Sequence, residues 1–129
     1  MGSLFSWVTK LKNAEVREVS GRYGWYIDQI KVRTADRVQE ETSPSFGGNG
    51  GGPYTWKVPE GEHIAKIEYR QGSWLDAVTF ITNKGTRSPQ FGGNGGSGPY
   101  TYNLKKDERL IGFYGHKDQW LRGLGFYIG

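Results

Sequence analysis

The chain has 129 residues and a formal net charge of +4; 35% of it is apolar and 15% aromatic, with 21 glycines, 5 prolines and no cysteine. The aromatic content excludes a disordered chain, and the lack of cysteine excludes a disulfide framework, a zinc–thiolate site and a thiol nucleophile. No apolar run approaches the roughly 18 residues of a membrane-spanning helix, and the basic excess is compatible with anionic partners without arguing for one.

At the start, Met1-Gly2-Ser3-Leu4-Phe5-Ser6 fits the M-G-x-x-x-[ST] pattern of N-myristoylation and equally a remnant of cloning. No basic stretch precedes an apolar core of signal-peptide length, so the expected location is cytoplasmic or non-classically secreted. Val16 to Val32 then forms the first of three windows that align without gaps, the others being Ile64 to Phe80 and Leu110 to Phe126. Each carries an aromatic at the same place (Tyr26, Trp74, Trp120), then an aliphatic (Ile27, Leu75, Leu121) and an alternating apolar pair (Ile30 and Val32, Val78 and Phe80, Leu124 and Phe126). Period two marks a half-buried strand. The first halves alternate less cleanly, through Val16 and Val19, Ile64 and Ile67, Leu110 and Phe113. Each window therefore predicts strand, loop, strand, and the abundance of glycine predicts tight turns and an all-β protein.

A second repeated element lies between the windows. Ser43-Pro44-Ser45-Phe46-Gly47-Gly48-Asn49-Gly50-Gly51 returns as Ser88-Pro89-Gln90-Phe91-Gly92-Gly93-Asn94-Gly95-Gly96, each followed by a β-prone Pro-Tyr-Thr-aromatic run. A flexible linker would not repeat phenylalanine and asparagine in fixed places; a rigid loop that brings bare backbone N–H groups close to a ligand would.

Inside the first two windows, Gly24-Trp25-Tyr26-Ile27-Asp28 and Gly72-Ser73-Trp74-Leu75-Asp76 both read G-x-x-x-D. Exposed N–H groups, an aromatic face and a carboxylate that accepts from paired hydroxyls meet the needs of a sugar ring. One such motif alone reads as an ordinary turn; two copies, each followed by Gly-Gly-Asn-Gly-Gly, favour a site. The candidate carbohydrate-binding residues are Gly24, Trp25, Tyr26, Asp28, Gly47, Gly48, Asn49, Gly72, Ser73, Trp74, Asp76, Gly92, Gly93 and Asn94. In the third window Asp118 and Arg122 replace the glycine and the aspartate.

Together these pieces resemble the jacalin-related lectins, most closely the mannose-binding branch and griffithsin-like domains, over about Val16 to Gly129. Family-typical stretches are Pro59-Glu60-Gly61-Glu62-His63-Ile64, Phe80-Ile81-Thr82-Asn83-Lys84-Gly85 and the ending from Ile111-Gly112-Phe113 to Gly125-Phe126-Tyr127. The resemblance implies one domain over residues 1–129, with an atypical first 15 or so. It implies a β-prism of three four-stranded Greek-key sheets around a pseudo-threefold axis, with metal-independent sugar sites at one end and no catalysis. It pairs Gly24–Asp28 with Gly47–Gly51, and Gly72–Asp76 with Gly92–Gly96. The family's third site joins the C-terminal loop to an N-terminal glycine-rich loop; here both halves are altered together. Galactose-preferring relatives depend on a freed N-terminal glycine at that site, so mannose- or glucose-type glycans are the expected partners. No cofactor, metal or nucleic acid is expected, and a homo-oligomer or a targeting module of a larger protein stays open.

Two rivals fail on context. Gly93 to Gly98 satisfies G-x-G-x-x-G, but a β-prone run follows where a dinucleotide site needs a helix. Asp28 and Asp76 as a glycosidase pair would have to flank one bond, whereas repeated loops belong to different sheets. His63 and His116 have no evident nucleophile beside them. The remaining alternative is an anion-binding module built on His116, Lys117 and Arg122, with Lys105, Lys106 and Arg109 just before them; the bland reading is a solvated surface.

Overall fold

The computed structural model describes residues 2–129, so Met1, which opens the lipidation-like motif, lies outside the described residues. Twelve strands follow one another: β1 (Ser3–Val8), β2 (Glu15–Tyr23), β3 (Ile27–Ala35), β4 (Glu40–Thr42), β5 (Phe46–Gly47), β6 (Gly52–Lys57), β7 (Ile64–Gln71), β8 (Leu75–Thr82), β9 (Phe91–Gly92), β10 (Ser97–Asn103), β11 (Leu110–Lys117) and β12 (Leu121–Ile128). No helix occurs among the described residues. The three windows are the hairpins β2–β3, β7–β8 and β11–β12, and each founds one antiparallel sheet.

The sheets are unequal where four strands each were expected. The first hairpin adds β6 on one edge and, on the other, β4 and β5, which both pair with β3 and act as one interrupted outer strand. The second hairpin gives the order β10-β7-β8-β9, and the third gives only β1-β11-β12. The atypical N-terminal segment thus supplies β1, the counterpart of β6 and β10, while β12 has no outer neighbour among the described residues.

The irregular spacing in the first half of each window has a physical cause. Register shifts fall between Val16 and Glu18, Ile64 and Lys66, and Leu110 and Gly112. A bulge inserts one extra residue, so side chains three apart face the same side. Val16 and Val19, Ile64 and Ile67, and Leu110 and Phe113 are accordingly all buried. They meet Ile27, Ile30, Leu75, Val78, Phe80 and Leu121 in one core. Phe80 is fully buried, its ring stacked 6.1 Å from Trp56 of the neighbouring sheet. Phe80→Ala is expected to cost about 3–5 kcal/mol, read as a lowered urea midpoint, because this sheet-to-sheet contact cannot collapse to refill the space.

The repeated Ser-Pro also has a structural duty. Ser43 Oγ accepts the Val32 N–H at 2.9 Å and donates to the Pro44 carbonyl at 2.9 Å; Ser88 does the same between Phe80 N–H (2.9 Å) and the Pro89 carbonyl (2.8 Å). Each buried hydroxyl clamps the chain against its hairpin, so that the following Phe-Gly pairs as β5 or β9 and the glycine loop is delivered to the same end of the prism.

Candidate carbohydrate-binding site

Both G-x-x-x-D loops lie beside the glycine-rich loop of their own sheet. Asp28 and Asp76 are the second residues of β3 and β8, buried at 3% and 4% exposure. Gly48 N–H donates to the Asp28 carbonyl at 2.8 Å and Gly93 N–H to that of Asp76 at 2.9 Å. Beyond them the loop closes over the carboxylates: a Cβ on Gly50 would stand 2.6 Å from Asp28 Oδ2, and one on Gly95 2.8 Å from Asp76 Oδ1. Gly51 and Gly96 both sit at φ +67°, a conformation glycine adopts without strain. Gly24 and Gly72 complete the two enclosures, with Gly72 able to carry a Cβ only 3.3 Å from Asp76 Oδ2.

The polar supports repeat as well. Arg22 Nε and Nη2 donate to the carbonyls of Gly50 (3.0 Å) and Gly51 (2.8 Å), and Arg70 does so to Gly95 (2.9 Å) and Gly96 (3.3 Å). Asn49 Oδ1 accepts from Gln29 at 3.4 Å and Asn94 Oδ1 from Gln90 at 3.0 Å. Arg22 and Arg70 escaped the sequence reading; Gly50, Gly51, Gly95 and Gly96 lay within the loops it paired with the aspartates but were not singled out among the candidate residues. The signal for the arginines was present, since both occupy one position of the aligned windows.

Burial pushes the Asp28 carboxyl above its usual range, opposed by the Gly24 backbone N–H, the Arg22 charge and the Trp120 side chain, which donates to it. Asp76 has no such partner for one oxygen: Oδ2 is buried and accepts no hydrogen bond within the described residues. A buried carboxylate oxygen without a donor is costly, and a ligand hydroxyl is the kind of group that relieves it.

The aromatics divide in a way the motif did not foretell. Tyr26, Trp74 and Trp120 pack on one another, with centroids 4.7–6.3 Å apart, as a plug where the three loops meet. Trp25 instead stands 82% exposed, and its neighbour across the ring of loops is the second glycine loop: a Cβ on Gly93 would lie 2.8 Å from the Trp25 carbonyl oxygen. Gln119 backs Gly48 in the same manner. Ser73, the third residue at this position, is exposed.

The third loop differs in charge and contact. Arg122 occupies the aspartate position, pairs with Asp118 Oδ2 at 3.2 Å and lies 4.5 Å over the Trp74 ring. His116 and Lys117 are at the loop end of β11, His116 exposed. Lys105, Lys106 and Arg109 do not join them, a correction to the expected cluster. They precede Leu110, at the far end of an eight-residue strand and so roughly 25 Å away. There Arg109 pairs with Glu15 at 3.6 Å. His63 sits near the same far end; burial, then the Arg109 charge, lowers its pKa. The described residues hold no group of three or more His, Cys, Asp or Glu able to take a metal ion.

This architecture has known counterparts. The crystal structure of a prostate-specific glycoprotein lectin, WGA16, superposes with a TM-score of 0.85 at 28% identity, covering 99% of this chain and 91% of the other. Jacalin in complex with T-antigen (TM-score 0.82, 20% identity, 99% of each chain) and artocarpin with methyl-α-mannose (0.78, 16%, 100% and 98%) share the fold. A putative zinc metalloproteinase of Schizosaccharomyces pombe is 30% identical over 105 residues, which are 81% of this chain and 16% of that protein. The Jacalin-like lectin domain model matches residues 2–127, and with three hairpin sheets and paired loops of this form the chain belongs to the jacalin-like lectin domain family.

Proposed function

We propose that the protein binds neutral glycans of the mannose or glucose type, without metal and without catalysis, at two sites: Gly24–Asp28 with Gly47–Gly51, and Gly72–Asp76 with Gly92–Gly96. The observation that carries this reading is the buried Asp76 carboxylate, walled by glycine backbone and left with an oxygen that accepts no hydrogen bond from the described residues. The carboxylate accepts two sugar hydroxyls, backbone N–H groups of the loops donate, and Trp25 offers its exposed ring beside the second site. The resemblance of the doubled G-x-x-x-D and Gly-Gly-Asn-Gly-Gly pairs to the mannose-binding branch, with the third site altered, is what supports mannose or glucose over galactose. The third loop, with its arginine already matched by Asp118, is read as a spent site and not as an anion receptor.

A monosaccharide is expected to bind near millimolar, about −4 kcal/mol, and branched glycans more tightly through both sites. Titration calorimetry with methyl-α-mannoside at low and high salt, and with EDTA, tests this. Binding that persists in all three conditions is the expected result. A steep loss with salt belongs to an anion-binding module, and a loss in EDTA to a metal site.

A further inference from the structure

The three hairpin loops do not serve only their own sheets; each also abuts the site of a neighbouring sheet, and the repeats show in which order. The third loop stands against the first site: a Cβ on Gly48 would collide with the Gln119 carbonyl oxygen, and the Trp120 side chain donates to the Asp28 carboxylate. The first loop stands against the second site in the same way, with the Trp25 carbonyl oxygen 2.8 Å from a Cβ on Gly93. The second loop stands against the third, where Trp74 carries the Arg122 guanidinium 4.5 Å from its ring centroid. Gln119 and Trp25 share one position of the aligned windows, and Trp120, Tyr26 and Trp74 share the next. The fold thus assigns Tyr26 to Asp76, as it assigns Trp120 to Asp28 and Trp74 to Arg122.

A phenol in place of an indole has a consequence for the carboxylate. An indole carries its N–H on the ring and can only donate, whereas a phenol carries its hydroxyl at the far tip. Asp28 and Asp76 are equally buried, each the second residue of its strand and each walled by the glycines of its own sheet's loop. Yet Asp28 receives Trp120, whereas Asp76 Oδ2 accepts no hydrogen bond from the described residues, the Tyr26 hydroxyl included. The Tyr26 ring is held in the plug, 6.3 Å from Trp74 and 5.2 Å from Trp120. A buried charged oxygen without a donor bears its full desolvation cost, and that cost exceeds the net gain of an ordinary exchanged hydrogen bond. A ligand hydroxyl recovers the whole of it at Asp76; at Asp28 it adds to one already partly met.

We propose that the aromatic lent by the neighbouring loop ranks the two sites: Trp120 partly satisfies Asp28, Tyr26 leaves Asp76 open, and a glycan fills the second site before the first. Tyr26 and Trp120 are positioning residues, acting through the carboxylates and not through contact with sugar. This ranking rests on the two-site glycan reading above and adds an order of loading to it. All three rings fill the plug, and Trp120 in addition supplies a donor to the neighbouring carboxylate.

Chemical-shift titration with methyl-α-mannoside at about pH 7, on chains left with one site each, is the test. Asp28→Asn, which keeps the second site, should bind about tenfold more tightly than Asp76→Asn, which keeps the first. Exchanging the aromatics should exchange the ranks. Trp120→Tyr in the Asp76→Asn chain raises affinity at the first site about tenfold, and Tyr26→Trp in the Asp28→Asn chain lowers it by as much at the second. Trp120→Tyr alone has a readout that needs no sugar. The Asp28 carboxyl, followed by carbon-13 NMR, should titrate at higher pH than in wild type, because a donor that lowers it is gone; a purely packing role for Trp120 would leave that midpoint in place. Equal affinities in the two single-site chains, exchanges without effect, or an unmoved Asp28 midpoint each overturn the ranking. Should Tyr26→Trp, the larger ring, prevent folding, Trp120→Tyr decides alone. A wild-type chain that binds no mannoside removes the glycan reading and the ranking with it, while the Asp28 midpoint still judges the Trp120 donor.

Discussion

Replacing both Asp28 and Asp76 by asparagine is expected to abolish detectable glycan binding while the chain stays folded. A charged acceptor contributes about 1.5–3 kcal/mol to a hydrogen bond, and asparagine keeps the shape with one neutral acceptor oxygen. Against a millimolar starting affinity, a loss of that size at each site puts binding beyond calorimetric reach. Stability should move the other way at Asp28. Its folded pKa is raised by burial above the ordinary carboxylate value of 3.8, so folding favours the protonated form. The associated stability is fully present below the ordinary value and is lost as pH rises through the raised one. Asp28→Asn should therefore unfold at a higher temperature than wild type at pH 7, with the advantage shrinking as pH falls through that window. Sugar binding at the first site should fade over the same acid range as its acceptor takes up a proton. Undiminished glycan binding by the folded double variant would remove the lectin reading of these two loops.

Gly47→Ala and Gly92→Ala are expected to disable their sites without touching a carboxylate. Gly47 has φ +119° and Gly92 φ +104°, where an L residue is strained by about 1–3 kcal/mol. The added Cβ would also stand 3.0 Å from the Gln29 Cα in one case and 2.8 Å from the Ala77 Cα in the other, against strand backbone that cannot turn aside. The outer strand must lift from its hairpin, taking with it the loop that walls the aspartate. Each variant should lower the midpoint of thermal unfolding by several degrees and halve the sugar stoichiometry in calorimetry. Gly52→Ala is the matched control, since a Cβ there meets nothing within 4 Å; it should change neither quantity.

Much of this protein is written locally. Period-two runs such as Leu75 to Phe80 declare strands, the aligned windows declare three hairpins, and the doubled Gly-Gly-Asn-Gly-Gly declares loops that approach something closely. The bulges were not read from the sequence, where Val16 and Val19 stood only as an irregular alternation; the register shift in the hairpin explains their three-residue spacing. Arg22 and Arg70 were legible, at one position of the repeat. What periodicity carries, however, is the face on which a side chain stands, not which strangers it meets there. Tyr26, Trp74 and Trp120 share a position in the sequence, yet only the closing of three sheets on a common axis turns them into one plug and leaves Trp25 to face solvent beside a different sheet's loop. The same closure sends Arg109 to the far end of β11 and gives Arg122 an acidic partner. Strand pattern is a nearest-neighbour property of the chain; the site is made of residues from separate loops, and their meeting is decided by how the sheets pack.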